Sequence, residues 1–82
     1  MKTLIEKLYK EDQIWFVLGS IISTDSLNSL ADYEKAISLL DKFDYSIDHE
    51  EINIPMGDLI KISDYVKKSK ELLTKESNHF KN

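Results

Sequence analysis

The sequence predicts an all-α fold, a small bundle of three or four helices. Three observations predict it: apolar residues that recur at helical spacing, capping residues at the starts of those stretches, and a chain too short to build more than one core. Eighty-two residues make one domain, which buries only roughly 60–65% of its unfolded surface. A hydrophobic fraction of 41% with 32% charged residues is that of a chain that collapses, not of a disordered one.

The first element begins at Thr3-Leu4-Ile5-Glu6, which has capping-box spacing: Thr3 as N-cap, with Glu6 reaching back to it. Leu4, Ile5, Leu8 and Tyr9 then share a face. Residues 11–23 also read as helix, with Ile14, Trp15, Leu18, Ile21 and Ile22 on one side. The sequence leaves open whether 1–23 is one helix or two. The runner-up fold is α+β, with Ile14–Leu18 as a strand, since Ile, Trp, Phe and Val favour strands. Ser23-Thr24-Asp25-Ser26 is a turn cluster. A further helix starts at Ser26 or Ser29 and carries a stripe of Leu30, Tyr33, Ala36, Ile37, Leu40 and Phe43.

From Asp44 the period changes. Tyr45 and Ile47, then Ile52 and Ile54, alternate with polar residues about Asp48-His49-Glu50-Glu51. Residues 45–54 suit either a short hairpin or an irregular loop pinned by its apolar side chains. Pro55 fits a first helical position, with Asn53 as a candidate cap. The last helix is expected from Pro55 to about Lys75, burying Met56, Leu59, Ile62 or Ser63, Val66 and Leu73, with Ile60 and Leu72 flanking. The expected domain is 1–77, with 78–82 a polar tail that frays.

There are no cysteines, which points to a reducing compartment and a cytoplasmic location. The opening residues, Met1 to Lys7, hold no signal-peptide core. The densest apolar stretch, Ile14 to Ile22, is nine residues against about 20 for a membrane span, so no membrane insertion is expected. All eleven basic residues are lysine. With abundant Ile, Asn, Ser and Asp, this fits coding in an AT-rich genome, such as a low-GC bacterium or its phage. Lacking arginine, the chain lacks the bidentate fork that reads phosphate and guanine.

No catalytic constellation is legible. His49 and His79 fall in an expected loop and tail, and no serine stands in a nucleophile motif. Asp48-His49-Glu50-Glu51 has ligand residue types, but four consecutive residues rarely converge on a metal. No cofactor motif is present: Gly19 and Gly57 form no phosphate cradle, and each reads as a small residue for close helix packing or a slight bend. The protein is therefore expected not to be an enzyme and to bind neither metal nor cofactor.

Charge is uneven: residues 1–24 are neutral, 25–54 carry −6 and 55–82 carry +2, within a total of −4. Lys61, Lys68 and Lys75 share a face of the last helix, yet Asp58, Asp64, Glu71 and Glu76 interrupt it. That mixture argues against nucleic-acid binding through this helix. Ile14-Trp15-Phe16-Val17-Leu18 is more telling, because five apolar residues in a row encircle a helix, where a surface helix needs a stripe about 100° wide. So small a domain has few elements with which to cover them all.

These features predict a non-enzymatic acidic protein that binds and regulates or inhibits a protein partner, of unknown identity. Trp15 and Phe16 would be the anchors, with Asp41, Asp44, Asp48, Glu50 and Glu51 facing the partner. Immunity proteins, antitoxins and phage-encoded regulators share this size and acidity; no motif ties the chain to them. The alternatives are a self-associating module, such as a homodimer, and nucleic-acid binding by the lysine-bearing last helix.

Overall fold

In the structure, a computed structural model, residues 3–23 and 25–80 are described. They form four helices, α1 (Leu4–Lys10), α2 (Ile14–Ile21), α3 (Leu30–His49) and α4 (Met56–Ser77), followed by a 3-10 turn, Asn78–Phe80. No strand occurs among the described residues, so the helical reading of Ile14–Leu18 holds and the α+β alternative falls.

Residues 3–23 divide into two helices at a junction of specific chemistry. Gln13 N–H donates to Leu8 O at 2.8 Å and Asp12 N–H to Tyr9 O at 3.1 Å, while Asp12 adopts φ 58°. This is a Schellman ending with Asp12 in the left-handed position. Glycine is usual there, and aspartate is among the few other residues that tolerate it. At the start of α1, Thr3 Oγ1 accepts from Glu6 N–H at 3.1 Å, as expected of the cap. The Glu6 side chain goes elsewhere: it is buried, and its Oε1 accepts from the backbone N–H of Asn53 at 2.9 Å.

α3 is longer than the alternation at 45–54 suggested. Tyr45 and Ile47 are helical, and no hairpin forms: residues 50–55 make an irregular connector with bends at Glu50 and Ile54. Ile47 lies one turn beyond Phe43, so it continues the stripe of Ala36, Leu40 and Phe43 and packs on the core. Tyr45 instead points outward and stacks on His49, with ring centroids 4.2 Å apart. Ile52 and Ile54 pin the connector to the core. The helix starts at Ser29, whose Oγ accepts from Asp32 N–H at 3.3 Å.

α4 starts from Pro55, which is the N-cap rather than the first helical residue, and Asn53 does not cap it. Ile62, Val66 and Leu73 are buried as expected, whereas Met56 is 68% exposed because it precedes the first core-facing turn. Ser77 is buried in the last turn, with Oγ donating to Thr74 O at 2.8 Å. The 3-10 turn then sets Phe80 against Tyr33, centroids 5.2 Å apart. Residues 78–80 of the expected tail form this turn, and 81–82 lie outside the described residues.

α3 and α4 run antiparallel: the Tyr33 hydroxyl donates to Glu76, while Lys67 reaches Asp44 and Asp48. α2 lies on this hairpin with Ile14 and Leu18 turned into the core. No helix among the described residues is long and apolar enough to cross a membrane.

Leu40, Ile62 and Val66 are fully enclosed, so Leu40→Ala should lower the free energy of unfolding by about 2–5 kcal/mol in urea titrations, the cost of a large-to-small change at a packed site. Asp12→Gly should hold or raise stability by up to roughly 1 kcal/mol, because glycine takes positive φ without strain, and Asp12→Val should lower the urea midpoint.

Candidate functional site

The sequence of α2, Ile-Trp-Phe-Val-Leu-Gly-Ser-Ile, contains no charged residue, and its helical period splits it into two unlike faces. Ile14 and Leu18, one turn apart, are buried. Trp15, Phe16 and Ser20 are exposed, with Gly19 beside them. Trp15 is 47% exposed and Phe16 74%. The Trp15 indole is braced edge-on by Tyr65 of α4, centroids 5.5 Å apart at 83°, which fixes its orientation. Phe16 has no such brace among the described ring pairs. The Ser20 hydroxyl donates to the Phe16 carbonyl at 2.9 Å, so the one polar side chain of this face is already satisfied.

Phe16 stands at one wall of an open groove of about 380 Å³ between α2 and α3. Val17, Ser20 and Ile21 continue that wall, and Leu27 of the intervening loop closes one end. Ala36 and Leu39 of α3 form the apolar side opposite, with Asp32 and Lys35 at the rim. Asp32 is engaged by its own helix start, where Oδ2 accepts from Asn28 N–H at 3.1 Å. Lys35 makes no ion pair among the described residues. A volume of this size is at the lower end for a ligand pocket and suits one or two large apolar side chains.

Gly19 is not a close-packing device. A methyl group at its Cβ position would meet nothing within 4 Å, and the same holds for Gly57. Close packing therefore explains neither glycine.

The acidic residues expected at a partner face divide. Asp44 bridges Lys67 at 2.6 Å and Lys70 at 3.2 Å. Asp41 pairs with Lys70 at 2.7 Å, and Asp48 with Lys67 at 3.5 Å. Three of the five carboxylates are thus engaged in holding α3 to α4. Glu50 Oε1 accepts from Ser46 Oγ at 3.1 Å, and Glu51 is exposed on the connector. At about 100° per residue, Asp41, Asp44 and Asp48 lie on the flank of α3 opposite Asp32, Lys35 and Leu39. The structure therefore brings Phe16 together with the groove and does not bring Trp15 and Phe16 together with the aspartates.

Lys67 and Lys70 are neutralised in place, and Lys75 lies 3.8 Å from Glu71, so the lysines of α4 are interleaved with carboxylates. Among the described residues, no three His, Cys, Asp or Glu side chains converge as a metal site would require. The His49 ring lies flat on Tyr45, with Nδ1 3.1 Å from the Tyr45 carbonyl.

The ionic cluster perturbs its members. The hydrogen bond from Lys67, assisted by Lys70, holds the Asp44 carboxyl below its usual value of 3.8. Asp44 and Asp41 in turn raise Lys67 and Lys70 respectively above 10.5. Tyr9, donating to Asp58, and Tyr33, half-buried and donating to Glu76, are both raised above 10.0. Because the folded-state pKa of Asp44 is depressed, its stabilisation is complete well above pH 3.8 and is lost as pH falls below that value. The lysines and tyrosines contribute in the opposite sense, losing their share as pH rises past 10 to 10.5.

Comparison with known protein families, with curated proteins and with solved structures finds no match to this chain.

Asp44→Asn should unfold at lower urea than the parent at about pH 7, and the gap should narrow at an acid pH below 3.8, as the parent carboxylate takes up its proton. Parallel midpoints at both pH values would contradict the assigned clamp.

Proposed function

We propose that this is a non-enzymatic binding protein that regulates or inhibits a protein partner by receiving it on the outer face of α2 and the groove between α2 and α3. The single observation that carries this reading is Phe16: a large aromatic side chain 74% exposed, fixed on a short helix at the edge of an apolar groove. Exposed aromatics at grooves are the usual anchors of protein interfaces. Desolvating this face costs little, because α2 carries no charge and the Ser20 hydroxyl bonds within its own helix.

The acidic half of the expected interface is narrower in this reading. Glu50 and Glu51 remain available at the far end of α3, whereas Asp41, Asp44 and Asp48 serve the ion pairs of the bundle. A partner that met those aspartates would have to displace lysines already bound. Contact is therefore expected to depend on apolar burial more than on charge attraction.

The test is affinity capture from the native host with the parent chain and with Phe16→Asp as baits, each checked for folding by circular dichroism. A partner specific to this face should be held by the parent, and Phe16→Asp should weaken it by tenfold or more, as loss of a hot spot does. Asp41→Asn should leave capture within about twofold. If folded Phe16→Asp bound as well as the parent, the groove would not be the docking surface.

A further inference from the structure

We propose that α1 is a hinged strap: it closes on the start of α4 and on the 50–55 connector through Tyr9 and Glu6, and it opens while the α3–α4 hairpin stays folded. Opening of α1 does not depend on what binds α2. The core lies mostly elsewhere. Ala36, Leu40, Phe43, Ile62, Val66 and Leu73 belong to α3 and α4, whereas α1 supplies Ile5 alone among the buried apolar residues, with Leu8 and Tyr9 partly buried beside it. The hairpin therefore keeps its own seam when α1 departs. Hydrophobic stabilisation scales with the area removed from water, so the part that α1 carries is the smaller one.

Two polar contacts complete the closure, and both are of a kind that releases. Glu6 is 6% exposed, and its Oε1 accepts from Asn53 N–H at 2.9 Å. The Tyr9 hydroxyl donates to Asp58 in the first turn of α4. No ion pair joins α1 to another element among the described residues. A carboxylate buried against one backbone amide is held at a cost, because water solvates it better. Opening returns Glu6 to solvent and recovers that cost, which an apolar residue in its place would not.

The hinge is the turn between α1 and α2. Asp12 stands there at φ 58°, and a few residues at the ends of elements are enough to absorb such a swing. Once lifted, the seven residues of α1 are too few to persist as a helix, so the open strap is melted chain. Gln13, the N-cap of α2, then loses the bond from its N–H to Leu8 O. Trp15 and Phe16 stand on the next turn, so the seat of α1 governs how firmly the aromatic face is held.

Trypsin tests this on the full chain. Lys7 and Lys10 lie within α1, Lys42 and Lys67 within the hairpin, and cleavage reports the opened population at each site. By mass spectrometry, first cuts after Lys7 and Lys10 should outpace those after Lys42 and Lys67 by about tenfold or more. Tyr9→Phe, read at Lys7, and Glu6→Ala, read at Lys10, should each speed cleavage in α1 by about fivefold, the loss of one hydrogen bond. Leu73→Ala, at the far end of α4, weakens the closed and open states alike. It should speed cuts at Lys42 and Lys67 by about tenfold or more and leave those at Lys7 and Lys10 within about twofold. Should that variant fail to fold, Tyr33→Phe, which loses the bond to Glu76, should give the same contrast at about threefold. Equal rates at all four lysines in the parent overturn the strap, as does equal acceleration of all four by the hairpin variant. Rates in α1 unmoved by both latch substitutions overturn it too.

Discussion

The antiparallel contact between α3 and α4 is the constraint on which the rest of this protein depends. It is built from a seam in which Leu40, Ile62 and Val66 lose all contact with water, and burial of that kind is the dominant favourable term in folding. The two helices are 20 and 22 residues long, enough to give the seam several turns of interdigitated side chains. α1 and α2 are 7 and 8 residues, too short to persist as helices in water. They exist because the hairpin offers Ile5, Ile14 and Leu18 a place to be buried.

The hairpin also separates two kinds of chemistry. One flank of α3 presents carboxylates to Lys67 and Lys70, a network of ion pairs that ties register more than it adds stability, since such pairs at a surface are individually weak. The other flank presents Ala36 and Leu39 to α2. A chain of net charge −4 thereby keeps three of its carboxylates paired on one side and leaves an uncharged aromatic face on another. Division of this sort lets apolar contact and charge be varied independently.

Most of the fold was legible in the sequence because it is written in local signals. Ser29 and Thr3 were identifiable as caps, and the stripe from Leu30 to Phe43 announced the central helix. The end of that helix was obscured because alternate positions such as Tyr45 and Ile47 fit a strand as well as two points on a helix; only the position of Ile47 one turn past Phe43 separates the readings. Trp15 and Phe16 could be singled out by crowding of apolar residues, since a helix cannot hide all its sides in so small a domain. The aspartates could not be sorted in the same way. Asp41, Asp44 and Asp48 look like an acidic face until the partner helix sets Lys67 and Lys70 against them, and no local pattern encodes that pairing. Leu39 and Lys35 were invisible for the same reason: a groove belongs to two helices at once.

The buried carboxylate of Glu6 couples regions that are far apart in the chain. Its acceptor oxygen holds the main-chain amide of Asn53, 47 positions away, in a connector with few regular bonds of its own. That amide is sheltered for as long as the first helix stays seated. Exchange of that one loop proton with solvent is therefore expected to follow the unseating of α1, even though Ile52 and Ile54 also pin the connector to the core.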